Sequence, residues 1–222
     1  NFAPTTPYAI SRSAGDLHLK AMLNEFQFPV IFTRAANVYG EHQPNYRIVP
    51  KTFITGLSLG KLDLHGGGVS KRSFIHIDDV VKAIVLIISK IGDIEQSVRY
   101  ELGSGIGRPI KEVVKLIHSL TNSQSNLCFG ALAYRIGEPV NLVADNTKLR
   151  QLGWLPTTNF EEKMIKFKEG VSKNYDQASK KFKEAMMARG FEDLPKVSEN
   201  IIHEDLNKRV EGANLRNDDA TE

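Results

Sequence analysis

Short runs of β-branched and apolar residues alternate with longer stretches of helical periodicity between residues 7 and 170. Val30–Ile31–Phe32–Thr33 is a continuous apolar run of the kind found in strands buried on both faces, and it follows a helical stretch opened by Pro7. In that stretch Leu19, Met22, Leu23 and Phe26 recur at helical spacing. The pattern then repeats. Residues 50–59 read as a helix, Leu62–Asp63–Leu64 and Ser73–Phe74–Ile75–His76–Ile77 as strands, and Tyr100 to Leu102 as another strand. Asp78 is predicted to cap a helix with Val81, Ile84, Val85 and Ile88 turned inward. Pro109 opens a helix with Ile110, Val113, Val114, Ile117 and Leu120 inward, Asn146 caps a short one, and Asn159 with Glu162 caps a long one. Strands alternating with helices point to α/β architecture with a parallel sheet.

Charge and cysteine content narrow the function classes. A net charge of +3 is too small an excess to indicate nucleic-acid or membrane-surface binding. The longest apolar stretch, Ala83 to Ile88, is far short of the roughly 20 residues that span a bilayer. Cys128 is the single cysteine, which excludes an internal disulfide framework and a cysteine-cluster metal site. The histidines and acidic residues show no H-x-x-x-H or similar metal spacing. The expected compartment is the reducing cytoplasm.

Tyr8 and Arg12 are the first candidates for chemistry. Four residues apart on a helix, they share a face. A guanidinium beside a phenol favours the phenolate, and a phenol so tuned can move a proton on an alcohol or ketone near neutral pH. Alone, the pair is better explained as a half-exposed tyrosine and a solvated arginine. His76 alternates with Ile75 and Ile77 and reads as a satisfied core histidine, not a ligand. Gly103-Ser-Gly105-Ile-Gly107 is not a G-x-G-x-x-G turn, and the chain has no dinucleotide fingerprint.

The ordered set PTTPYAISRSAGD, VIFTRAANVYG, HGGGVSKRSFIHIDDVVKAI, YELGSGIGRPIKEVV, FGALAYRIGEP and VADNTKLRQLGWLP resembles the extended short-chain dehydrogenase/reductase superfamily. Within it the segments look like the NAD-dependent nucleotide-sugar epimerases and 4,6-dehydratases, over about residues 4 to 170. The resemblance implies an α/β fold: the C-terminal part of a Rossmann-type parallel sheet plus a smaller α/β substrate-binding domain. Residues 1–40 are then expected to belong to the NAD-binding half. Residues 41–170 would form the nucleotide-sugar region, interleaved with the last Rossmann strand, and residues 171–222 a charged helical extension with a disordered tail.

The same resemblance implies roles. Tyr8 matches the family's catalytic tyrosine. Arg12 stands where the family has lysine, and its planar fork is a poorer point donor than an ammonium. Tyr8, Arg12 and Ala35 are expected to contact NAD. Asn37, Arg47, His65, Arg72, Arg135 and Glu138 are expected to contact a nucleoside-diphosphate sugar, with Arg72 and Arg135 on the diphosphate, Glu138 at the ribose and His65 near the base. In the resembled mechanism the tyrosine takes a sugar hydroxyl proton while NAD takes the adjacent hydride. The resulting 4-keto sugar loses water in a dehydratase or is re-reduced in an epimerase. The expected function is that of a 4,6-dehydratase, with this chain as the C-terminal part of a longer protein. The alternatives are a 4-epimerase, a degenerate nucleotide-sugar-binding protein, and an interaction module using the basic helix Lys163 to Lys183. No nucleic-acid or membrane partner is expected, and a homodimer is left open.

Overall fold

The structure, a computed structural model, describes residues 4, 6–58, 60–122, 124–134 and 137–187. The expected tail from residue 188 onward lies outside these residues, as does Arg135. Helix α1 (Pro7–Phe26) leads into strands β1 (Phe32–Ala35) and β2 (Asn37–Tyr39), then helix α2 (Ile48–Leu57). Strands β3 (Lys61–His65) and β4 (Lys71–His76) flank a glycine turn and are followed by α3 (Ile77–Ser89). Next come β5 (Arg99–Leu102), β6 (Gly107–Pro109), α4 (Ile110–Leu120), β7 (Asn126–Leu132) and β8 (Asn141–Leu142). Helices α5 (Thr147–Gln151) and α6 (Phe160–Met187) complete the described elements.

Among the described residues, strand pairing is parallel for β1 with β5, β2 with β4, β3 with β7 and β4 with β8, and antiparallel for β4 with β6. Strand β4 is central. Every residue from Arg72 to His76 is buried, and alternation along the strand sends neighbours to opposite layers. Phe74 joins Tyr39, Phe53, Val113, Ile117, Phe160 and Met164 in a core beneath α2, α4 and α6. Ile75 joins Val80, Ala83, Ile87, Tyr100, Leu102, Leu149 and Trp154 in a second core under α3. A strand covered on both faces carries apolar side chains on both, and adjacent Phe74 and Ile75 made this one legible; it ends at His76, and Ile77, expected in the strand, is the exposed first residue of α3. The α/β architecture with parallel strands agrees with the sequence expectation.

Four local expectations need correction. Helix α3 turns Asp79, Val80, Ala83 and Ile87 inward, whereas Val81, Ile84, Val85 and Ile88 are all exposed. The helix is apolar on two adjacent stripes, so periodicity alone does not choose between them. The inward stripe is the one with a small residue for close approach and a carboxylate with waiting donors. Asp79 accepts from the backbone and hydroxyl groups of Thr157 and Thr158.

The cap of α3 is His76 rather than Asp78: its Nδ1 accepts from the Asp78 N–H at 3.2 Å. Asp78 instead pairs with Lys163 of α6 at 2.7 Å. Asn146 makes no side-chain cap for α5; it donates to the Gly103 carbonyl, and Asp145 accepts from Thr147 N–H in its place. The Asn159 cap of α6 is present, accepting from Glu162 N–H at 3.0 Å. Helix α1 has no buried residue, so the Leu19–Phe26 stripe does not enter either core.

A candidate nucleotide site between two parallel segments

The connection after β7 lies along the turn between β3 and β4 as a strap. Gly66 N–H donates to Leu132 O at 2.8 Å, and Lys71 N–H donates to Val140 O at 2.7 Å. Between these ends the strap carries Tyr134 and Glu138, and the turn carries His65 and the glycines before Arg72. Pairing of β3 with β7 shifts register between Leu64 and His65, so that His65 meets Leu132 while Leu64 meets Phe129. A bulge of this kind re-aims the residue that follows it. It brings His65 Nδ1 to 2.7 Å from the Ala133 carbonyl. A carbonyl can only accept, so Nδ1 carries the proton, and in neutral His65 the Nε2 lone pair is free.

Tyr134 lies against Gly66, where a Cβ would stand 2.0 Å from the ring. Gly66 also has φ +49°, so the turn needs glycine for both its backbone angle and its bare surface. The Tyr134 hydroxyl accepts from Val69 N–H at 3.2 Å.

Arg72 is 9% exposed and held by three contacts. Its Nη1 donates to Lys71 O and Pro139 O, each at 2.9 Å, and its Nη2 donates to Glu138 Oε1 at 2.9 Å. Guanidinium has five N–H donors, so Nε–H and one Nη2–H remain without a partner among the described residues. The sequence reading gave Arg72 and Glu138 separate partners on a ligand. Here they are partners of each other, which neutralises the arginine and fixes its fork. The strap thus joins His65, Arg72 and Glu138. Arg135 belongs to the same connection in sequence.

The remaining candidates lie elsewhere. Asn37 is in register with Phe74 on β4, two residues beyond Arg72. Arg47 is exposed, with its guanidinium 5.3 Å from the Tyr46 ring centre. Tyr8 is 61% exposed and Arg12 is exposed, both on α1. Asp16, a further turn along, pairs with Arg34 of β1 and ties this helix to the strand. Burial, first, and the nearby Arg99 and Arg12 charges lower the Arg34 pKa from its usual value. Ala35 lies on an exposed position of β1.

For a dinucleotide, Tyr8, Arg12 and Ala35 offer an open surface, but the described residues provide no cradle for its pyrophosphate. The Gly103–Gly107 loop is filled by its own chain: a Cβ on Gly103 would stand 2.4 Å from the Ala144 Cβ. Among the described residues no cluster of three His, Cys, Asp or Glu could hold a metal ion, and no helix is long and apolar enough to cross a membrane.

A hollow of about 170 Å³ lies apart from the strap, lined by Glu41, His76, Asp78, Lys163 and Lys166, among others. His76 is satisfied there as the sequence suggests, capping α3. Burial, and then the Lys163 charge, push its pKa below the usual histidine value. That keeps the neutral form, the only one whose Nδ1 can accept. Tyr134 is the site residue sequence reasoning missed. It lies in the segment ALAYRIGEP beside the charged Arg135 and Glu138, and the one signal in the sequence is an aromatic residue next to an arginine.

Parallel strands buried under helices on both faces define a Rossmann-type α/β protein. Residues 1–103 match the model of the NAD dependent epimerase/dehydratase family. A dTDP-D-glucose 4,6-dehydratase of Mus musculus is 32% identical over 179 residues, which is 78% of this chain and 49% of that protein. The chain therefore spans about half the length of the curated relatives it matches. The crystal structure of dTDP-glucose 4,6-dehydratase from Bacillus anthracis in complex with NAD superposes with a TM-score of 0.70 at 26% identity, covering 78% of this chain and 54% of that one. A UDP-glucose 4-epimerase from Thermotoga maritima with UDP-glucose gives 0.70 at 25% identity, covering 78% and 55%.

Proposed function

We propose that this chain carries the nucleotide-sugar side of an NAD-dependent 4,6-dehydratase, together with the Tyr8–Arg12 pair that would move the sugar proton. The observation that supports this most directly is the pinned fork of Arg72. A guanidinium whose Nη1 and one Nη2 proton are already committed presents its last two N–H groups in a fixed direction. Pre-orientation lowers the entropy lost when a phosphate binds. Because Glu138 already neutralises Arg72, a diphosphate needs a second cation, and Arg135 is the residue this reading assigns. Glu138 keeps Oε2 available for a ribose hydroxyl. The relatives named as 4,6-dehydratases support the reaction class.

Calorimetry of the full chain with dTDP-glucose, UDP-glucose and UMP tests the reading. Arg72→Met and Arg135→Met should each weaken nucleoside-diphosphate-sugar binding by about ten- to a hundredfold, from losing a charge-assisted hydrogen bond. UMP should lose much less. Equal losses for both ligand types would refute the diphosphate clamp. A second reading, a binding protein without turnover, is favoured by Arg12 in place of the family lysine. Tight binding of dTDP-glucose with no keto-sugar formed in the presence of NAD would select it.

A further inference from the structure

His76 and Lys163 both reach one oxygen of Asp78. Nδ1 of the imidazole lies 3.2 Å from Asp78 Oδ2, and Nζ of the lysine lies 2.7 Å from the same atom. The neutral imidazole does not use that oxygen. Its Nδ1 accepts from the Asp78 N–H at 3.2 Å, which leaves the ring proton on Nε2. Lys163 therefore holds the carboxylate, and through it α6 is fastened to the first turn of α3. A second ring proton has only Nδ1 to bind. That nitrogen must then donate, and Asp78 Oδ2 is the acceptor already beside it. In the same event the Asp78 N–H loses its acceptor.

The charged and titratable groups around His76 are Asp78 and Asp79 of α3, Lys163 and Lys166 of α6, Tyr39 of β2, and Glu41 just after that strand. Asp79 is committed to Thr157 and Thr158. Tyr39 stands perpendicular to the imidazole with ring centres 5.1 Å apart, and burial pushes its phenol up, so it stays neutral. Glu41 and Lys166 both line the neighbouring hollow and carry opposite charges. The Lys163 hydrogen bond holds the Asp78 carboxyl below its usual range, with Lys82 acting in the same direction. Asp78 is thus still a carboxylate when an imidazole takes up its proton.

We propose that His76, Asp78 and Lys163 form a proton-operated latch between α3 and α6: neutral His76 caps α3 and leaves Asp78 to Lys163, whereas protonated His76 takes Asp78 Oδ2 and releases Lys163. With the latch open, α3 has lost its cap and two cations repel across the joint. The polar fastening of the α6 entry to α3 then rests on the bonds of Asp79 to Thr157 and Thr158. The exchange falls below about pH 6.5, the ordinary histidine value, because burial first and the Lys163 charge second oppose the charged ring. A local change of charge partner of this kind biases a contact that has two discrete arrangements.

NMR titration of the full chain tests the latch. In the wild type the Asp78 amide and the Lys163 side-chain resonances should both move with the His76 titration. A Lys163 side chain that stays unmoved through that titration would overturn the proposal, and no variant is needed to see it. Lys163→Met should tighten proton binding at His76 about two- to fivefold, the worth of a partly exposed ion pair. In an Asp78→Asn background the same change should have less than about half that effect, because no shared carboxylate is left to contest. An equal effect in both backgrounds would mean that Lys163 acts on His76 by its charge alone, and the shared oxygen would be refuted. Trp154 fluorescence checks that each variant is folded.

Discussion

Asp79 carries more of the tertiary structure than any other charged residue described, and replacing it should be correspondingly costly. Its side chain is fully buried, with Oδ1 accepting from Thr157 N–H at 3.1 Å and Thr157 hydroxyl at 3.0 Å. Oδ2 accepts from Thr158 N–H at 3.1 Å and Thr158 hydroxyl at 2.5 Å. These bonds fasten the start of α3 to the loop that enters α6, and Trp154 Nε1–H donates to the Asp79 carbonyl at 3.2 Å. In Asp79→Ala the two hydroxyls can turn elsewhere, but the two backbone N–H groups cannot. Each unsatisfied buried donor costs about 1–3 kcal/mol, so orphaning the two N–H groups should cost about 2–6 kcal/mol. Asp79→Asn keeps one acceptor and should lose about half as much.

Trp154 is the only tryptophan and lies at the perturbed site, so urea unfolding followed by its fluorescence reads the change directly. The pH dependence adds a second check. Burial raises the Asp79 pKa, but hydrogen bonds from Thr158 and Thr157 outweigh it and hold the carboxyl below the usual range. On acidification the unfolded chain therefore takes up this proton first. The contribution of Asp79 is complete above about pH 4 and is lost as pH falls through the lower folded value. The stability gap between wild type and Asp79→Asn should close in that same window. A loss below about 1 kcal/mol in Asp79→Ala at pH 7 would refute the view that these four bonds hold the layers together.

Two other outcomes follow from the same structure. The folded pKa of His76 is lowered, by burial first and the Lys163 charge second, so its stabilising contribution is present above about pH 6.5 and is lost as pH falls through the folded value. NMR titration should find this imidazole below the usual histidine range, and His76→Asn, which retains a capping oxygen, should flatten the fall in stability between pH 7 and pH 5; titration at or above 6.5 would contradict the buried cap. The Asp16–Arg34 pair ties α1 to β1 while Asp16 is largely covered, so a double-mutant cycle with Asp16→Asn and Arg34→Gln should give a coupling of about 0.5–1 kcal/mol. Amide exchange in α1 should speed up in either single variant, and unchanged exchange would mean the helix is held by other means.

Along this chain the alternation of apolar runs and helical stretches was enough to determine α/β architecture and most elements. The reason is local: burial on both faces demands continuous β-branched runs, and one-sided burial demands helical period. The Asn159 cap and the inward face of α4 were legible for the same reason, each depending on residues within one turn. Which stripe of α3 faces the sheet was not, because the exposed stripe Val81–Ile84–Val85–Ile88 is the more apolar of the two and the inward one, Val80–Ala83–Ile87, carries Asp79. That choice needed Thr157 and Thr158, almost 80 positions away, to satisfy Asp79.

The site divides in the same way. Arg72, His65 and Glu138 could be singled out by their place among ordered motifs. That Glu138 pairs with Arg72 and that Tyr134 covers Gly66 came only from the strap lying along the glycine turn. Charges and rings 66 to 68 residues apart meet there because parallel pairing of β3 with β7 and of β4 with β8 brings both connections to one end of their strands. A sequence states which donors and acceptors exist; only the tertiary structure pairs some of them with each other and leaves others, such as Nε–H of Arg72 and Nε2 of His65, without a partner among the described residues.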